Sequence, residues 1–332
     1  MLKRIYILWL SLVAVSGLIA CQPELPTLQA SNRIQLSDSP VVAAKLSSDG
    51  QFSYLLLANN HLQKWQNNDA SLIREWQALD DDSLHLAISE DASHVITANQ
   101  KALTLWFADA TTPLGNLDLT MQLGDANITA VDFWQSPSVF LIGTSAGTIF
   151  VADIHNSTYR AMQQHGGEVT KFARFNDTQY LLSGGNDGLA ILWDMRQFQL
   201  KEKVDTPFRI TSLTVSSDSG LTFISDALEK QLLWQPVKNQ IISELEYWQQ
   251  YKWFRLATFI QNDKYLITTS PKTEITLWDI SSNEAIAMWG SESHSMGSTV
   301  LDMTYLNNHR LVTLTSDAVL EHWEITSLIN NP

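Results

Sequence analysis

Ser183-Gly184-Gly185-Asn186-Asp187-Gly188, followed at once by Leu189-Ala190-Ile191-Leu192-Trp193-Asp194, decides how the chain is read. The first six residues are small, polar or glycine, types that tolerate positive φ and close a tight turn. The next six are an apolar run ending in Trp-Asp. Before the turn lies a second apolar run, Tyr180 to Ser183. Before that comes Glu168-Val-Thr-Lys-Phe-Ala-Arg-Phe175, which alternates and is broken by Asn176-Asp177. A polar segment, Phe198 to Lys203, completes the unit. Four short apolar or alternating runs separated by turn residues point to antiparallel strands.

The unit recurs. Apolar strings end in Trp65, Trp106, Trp193, Trp234, Trp278 and Trp323, and a seventh string, Thr148 to Asp153, carries Ala152 at the Trp position. Successive spacings are 41, 46, 41, 41, 44 and 45 residues. A four-stranded propeller blade takes about 40–45 residues. The period therefore predicts an all-β fold, a seven-bladed β-propeller of four-stranded antiparallel blades over residues 32–326. No long segment carries a 3.6-residue apolar period, so little helix is expected.

The last period supplies only three strands, at Thr299 to Tyr305, Arg310 to Leu314 and Val319 to Ile325. Residues 32–36, Asn-Arg-Ile-Gln-Leu, read as a strand without a blade. Pairing the two ends would complete the seventh blade and remove a free sheet edge. Residues 327–332 are left as a C-terminal tail.

The repeat resembles the WD-repeat family of β-propellers. The residues that carry the resemblance are Leu192-Trp193-Asp194, the turn 183–188, His165-Gly166 and a second Trp-Asp ending at Leu277-Trp278-Asp279. It implies closure of the ring by the N-terminal strand. It also implies that His165, Ser183, Asp187 and Trp193 form a buried hydrogen-bonded tetrad.

The N-terminus reads as an export signal over residues 1–20. Lys3 and Arg4 precede an apolar stretch from Ile5 to Gly17, too short for an ordinary membrane span of about 20 residues. Leu18-Ile19-Ala20-Cys21 resembles a bacterial lipobox, and Cys21 is the one cysteine of the chain. The resemblance implies cleavage before Cys21 and its acylation, so that the membrane is reached through lipid (diacylglycerol plus a fatty acyl chain such as palmitate). Gln22, in place of Asp, fits the outer membrane, on the periplasmic face. Residues 21–31, with prolines at 23 and 26, read as the lipidated N-terminus and an extended tether.

The formal charge of −14 and the lack of basic clusters exclude nucleic acid as a partner class. A single cysteine excludes an internal disulfide and a cysteine-based zinc site. No His spacing suggests a metal site, and Asp80-Asp81-Asp82 lacks the pattern of a calcium loop. Gly143-Thr-Ser145-Ala-Gly147 fits a nucleophile-elbow pattern, but it lies between two strands, where a turn is the better reading. His165, Ser183 and Asp187 have the composition of a hydrolase triad, and burial in the tetrad is the competing assignment.

Residues 247–255 stand out for another reason. Tyr247, Trp248, Tyr251, Trp253 and Phe254 crowd into eight positions beside Arg255, at the connection between the fifth and sixth blades. Trp, Tyr and Arg are enriched in binding hot spots. Tyr247, Trp248, Tyr251, Trp253 and Arg255 are thus candidate partner-binding residues, with packing between blades as the alternative. The expectation is a monomeric, non-catalytic scaffold for other envelope proteins, with no cofactor and no metal. An envelope enzyme or a cell-wall glycan binder is the alternative. A scaffold should carry an apolar or aromatic patch and an ordinary polar channel, whereas an enzyme should gather groups of shifted pKa in that channel.

Overall fold

Second and third strands of each period are the richest in apolar residues, because both of their faces are to be covered. In the computed structural model, which describes residues 25–77, 82–176, 179–245 and 253–329, these strands are almost wholly buried. Tyr180–Gly185 has no exposed residue, while the outer strand of the same blade, Gln199–Asp205, is polar and largely solvated. The strands assemble into seven four-stranded antiparallel sheets. Blades 1 to 6 span residues 41–77, 85–118, 128–163, 169–205, 210–244 and 256–290. The inner strands neighbour one another in cyclic order, and the first of them touches the last, so the ring is closed. The protein is a seven-bladed β-propeller.

Blade 7 joins both ends of the chain. Val300–Leu306, Arg310–Thr315 and Val319–Glu324 form its first three strands, and Asn32–Gln35 is the fourth. In that pairing Arg33 stands opposite Glu321 and Ile34 opposite Leu320. The Glu321 side chain is fully buried and accepts from Arg33 Nε at 2.8 Å, from the Ser291 hydroxyl and from the Glu292 amide at 3.1 Å. A buried carboxylate is tolerable only with such compensation.

Seven apolar clusters fill the seven spaces between blades. Trp106 packs with Tyr54 and Leu56 of blade 1, Trp193 with Leu141 and Ile149 of blade 3, and Trp234 with Leu182 and Leu192 of blade 4. Trp278 joins Phe223 of blade 5, and Trp323 joins Ile267 and Leu277 of blade 6. Trp65 covers the junction with blade 7 but is only half-buried. The recurrent Trp is therefore the wedge that every blade but the third sets against its predecessor.

Its indole N–H also needs a partner. Trp106, Trp193, Trp278 and Trp323 donate to Thr97, Ser183, Thr268 and Thr313 at 2.8–3.0 Å. Each acceptor lies on the second strand, two residues from the position opposite the Trp. In blade 5 that place is taken by Ile224, and the buried Trp234 N–H has no hydrogen-bond partner. In blade 1 it is Leu55, and Trp65 turns instead to Gln63 Oε1 at 3.0 Å.

Two segments differ from their expected roles. Within the described residues of the expected tether, Pro26 accepts from the Met288 amide at 3.0 Å, and Leu28 and Ala30 pack on the junction of blades 6 and 7. The expected tail begins as a helical turn, Thr326–Ile329, whose Ile329 is buried and whose carbonyl accepts from the Tyr265 hydroxyl at 3.3 Å. A few apolar residues beside an open cluster suffice to dock both ends, and so few leave no period in the sequence.

This packing makes the cost of individual side chains measurable. Arg33→Ala takes the cation from buried Glu321, which keeps its bonds from Ser291 and Glu292, and should cost about 1–3 kcal/mol in urea unfolding. Arg310→Ala, whose partner Glu324 is nearly half exposed, should change little. Trp278→Phe removes a satisfied donor and should cost about 1 kcal/mol more than Trp234→Phe, which removes an orphaned one.

Candidate functional site

Asp187 closes the turn of blade 4. It accepts from the Gly166 amide at 2.7 Å and the Leu189 amide at 3.1 Å, and both of its oxygens lie 3.1 Å from His165 Nδ1. A carboxylate only accepts, so Nδ1 carries the proton. Burial holds the His165 pKa below its usual value despite Asp187, so the ring is neutral at pH 7. Nε2 then accepts from Ser183 Oγ at 2.7 Å, and Ser183 accepts from the Trp193 indole at 2.8 Å. The connectivity through His165 is that of a serine hydrolase, yet the Ser183 side chain is fully buried and no substrate can reach it. The network is a structural clamp.

The elbow-like sequence is also structural. Ser145 Oγ accepts from the Asn127 amide at 2.9 Å. Gly147 adopts a φ of +80°, and a Cβ there would collide with the His165 carbonyl. In the next blade Gly188 meets the same requirement, against the Thr206 carbonyl. These glycines answer a turn requirement.

Of the aromatic connection, Tyr247, Trp248 and Tyr251 lie outside the described residues, as do Cys21, Asp80 and Asp81. Trp253 is half-buried. Phe254 is buried between blades 5 and 6, with its ring centroid 6.1 Å from Phe223 and 5.8 Å from Trp278. Arg255, expected beside these aromatics on a loop face, instead lines the axial channel. It is the first residue after the connection and reaches inward at the start of Leu256–Ile260.

That channel has a cavity of about 460 Å³ to which all seven blades contribute. Its lining is not the ordinary polar surface expected for a scaffold. Lys45, Lys171, Arg174 and Arg255 line it with Glu90, Asp132 and Asp302. Two ion pairs form: Lys45 with Asp302 at 3.8 Å and Arg174 with Asp132 at 3.6 Å. Burial raises the Asp302 pKa in spite of Lys45. Burial, helped by the charges of Arg255 and Lys45, pushes the Lys171 ammonium down to about 8, and burial lowers Arg255. In five inner strands the ladder slips at the second residue, and Lys171 and Asp302 are the first residues past such bulges. Bulges bend a strand and re-aim its side chains.

Of the channel charges, only Arg255 stands out in the sequence. The others are spread over five blades, one or two to a short inner strand or its edge, and no run of charge marks them. Superposing the seven inner strands would bring out Lys171 and Asp302 at the same third position.

A second concavity, of about 400 Å³, lies between the outer parts of blades 2 and 3. Ala152 stands there in place of the recurrent Trp. Phe140, directly across the ladder from Ala152, replaces some of the missing volume. Leu103, Leu105 and Leu117 form the opposite wall, and Ile154 and Tyr159 stand exposed at the rim.

Among the described residues no group of three or more His, Cys, Asp or Glu could hold a metal ion, and no helix is long and apolar enough to cross a membrane. The tetrad yields a test. His165→Ala strands Asp187 and Ser183 and should lower the melting temperature, with a loss of about 2–3 kcal/mol. Wild-type stability should also fall as pH drops below about 6.5, where the unfolded chain binds the proton that buried His165 refuses. The variant should lose that share of the acid sensitivity, as melting across pH 5–8 would reveal. No protein-family model matches the chain, and a search of curated proteins finds no match.

Proposed function

We propose that this propeller is a WD-repeat lipoprotein acting as a non-catalytic scaffold for other proteins of a bacterial envelope. An acylated Cys21 would hold it to the membrane, on the periplasmic face of the outer membrane. Two acyl chains or more make such an anchor effectively permanent. The supporting sequence is the charge, apolar length and Leu-Ile-Ala-Cys ending of residues 1–21.

The observation that carries the scaffold reading is the cleft at Ala152. An apolar wall open to solvent on a rigid frame is a docking surface. It suits an extended segment of a partner that inserts one bulky apolar side chain where the repeat omits its own indole. Among the described residues Asp153 is the one charge lining the cleft, and the protein is strongly acidic, so flanking basic residues on the partner are favoured. The charged axial channel favours a second reading, a propeller that binds or transforms a small molecule.

Ala152→Trp fills the cleft and Tyr159→Ser strips its rim without touching the core. Crosslinking and affinity purification from native membranes should recover a partner with wild type and lose it, several-fold, with either variant. Equal recovery from all three would overturn the cleft as the docking site. Cys21→Ser should move the protein from the membrane to the soluble fraction, and its retention in the membrane would refute the anchor.

A further inference from the structure

The axial channel presents cations that nothing in the fold uses. Asp302 answers Lys45, and Asp132 answers Arg174. Glu90 is solvent-exposed, at the end of the channel marked by Arg174. Lys171 and Arg255 remain. Neither has a carboxylate within 4.0 Å or a side-chain hydrogen bond among the described residues. They come from different blades, 4 and 6, and line the same cavity.

This arrangement costs the fold energy. An unpaired charge out of bulk water is penalised, and a second like charge close by adds to the penalty. A Met or Leu at position 171 would carry no such penalty. In a chain of net charge −14, carboxylates to neutralise the pair abound elsewhere. With Asp302 and Asp132 taken up by Lys45 and Arg174, the cavity keeps an excess of positive charge, and low-dielectric walls concentrate its field on the axis.

We propose that the axial channel is a binding site for a small oxyanion-bearing molecule, whose phosphate or carboxylate group is held between Lys171 and Arg255. The guanidinium offers a planar fork to two oxygens, and the ammonium adds a point charge from another side. The cavity falls within the range of about 300–1,000 Å³ found for small-molecule sites. Asp132 and Asp302, already engaged with Arg174 and Lys45, keep free lone pairs for hydroxyl or amino groups on the rest of the ligand. The anion restores the missing charge, so ligand binding and stability are coupled.

The experiment uses the purified full chain, with inorganic phosphate and succinate as separate probes and sodium chloride at matched ionic strength as reference. Either probe should raise the melting temperature by several degrees in a saturable way. Calorimetric affinity should fall about tenfold or more in Lys171→Met and in Arg255→Gln. Lys203→Met, at an exposed pair on the outer strand of blade 4, should leave it unchanged. Response to phosphate alone identifies a phosphate ester as the ligand class, and response to succinate alone a carboxylate. Without ligand, Lys171→Met should melt at or above the wild-type temperature. Saturable binding of neither probe, equal loss in Lys203→Met, or a lower melting temperature of unliganded Lys171→Met would each overturn the proposal.

Discussion

Closure is the constraint on which the molecule depends. A ring of blades has no free sheet edge along its circumference only if the last blade is completed, and that takes a strand from nearly 290 residues away in sequence. Arg33 pairs across the ladder with Glu321, and that glutamate is buried. The pair is a poor source of net stability, because taking the carboxylate from water cancels much of the attraction. Its worth is in register. A one-residue slip of Asn32–Gln35 would turn Arg33 to the other face and leave Glu321 without its cation. The seven inter-blade clusters then act as a closed series, each blade compressed between two neighbours.

Within that frame the blades are unequal, and the inequalities are informative. Blade 4 satisfies its indole through Ser183, His165 and Asp187. Blades 2, 6 and 7 do so with one threonine. Blade 5 leaves Trp234 unsatisfied, and blade 3 abandons the Trp altogether. The volume lost at Ala152 is only partly returned by Phe140 on the adjacent strand. What is left is a cleft between blades 2 and 3 with Ile154 and Tyr159 exposed at its rim.

Much of the architecture was legible in one dimension. Trp spacing set the blade number, Gly188 and Gly147 sat where turns need positive φ, and the three-strand last period exposed the missing partner of Asn32–Gln35. These signals are local or periodic. The channel was not legible, because Lys45, Lys171, Asp302 and Arg255 meet only after the chain has gone round the ring. Arg255 illustrates the limit: its neighbours in sequence are aromatics, yet in space it shares a channel with Lys171, Lys45 and Asp302 from other blades. Phe254, beside it, serves the core between blades 5 and 6, so the aromatic run divides among several tasks within two residues.

The stability gained at the perimeter and the stability forgone on the axis are linked. A propeller closed by an ion pair on a buried carboxylate and wedged by indoles at six of seven junctions can carry unpaired Lys171 and Arg255 without opening, because the strands that bear them cannot separate without breaking two junctions each. Proteins tolerate locally unfavourable groups where a function draws on them. The inner strands are the natural place, for every blade contributes one and a ligand there touches the whole ring at once. Charge on the axis, in a chain otherwise strongly acidic, is thus a feature the rest of the structure is stiff enough to hold.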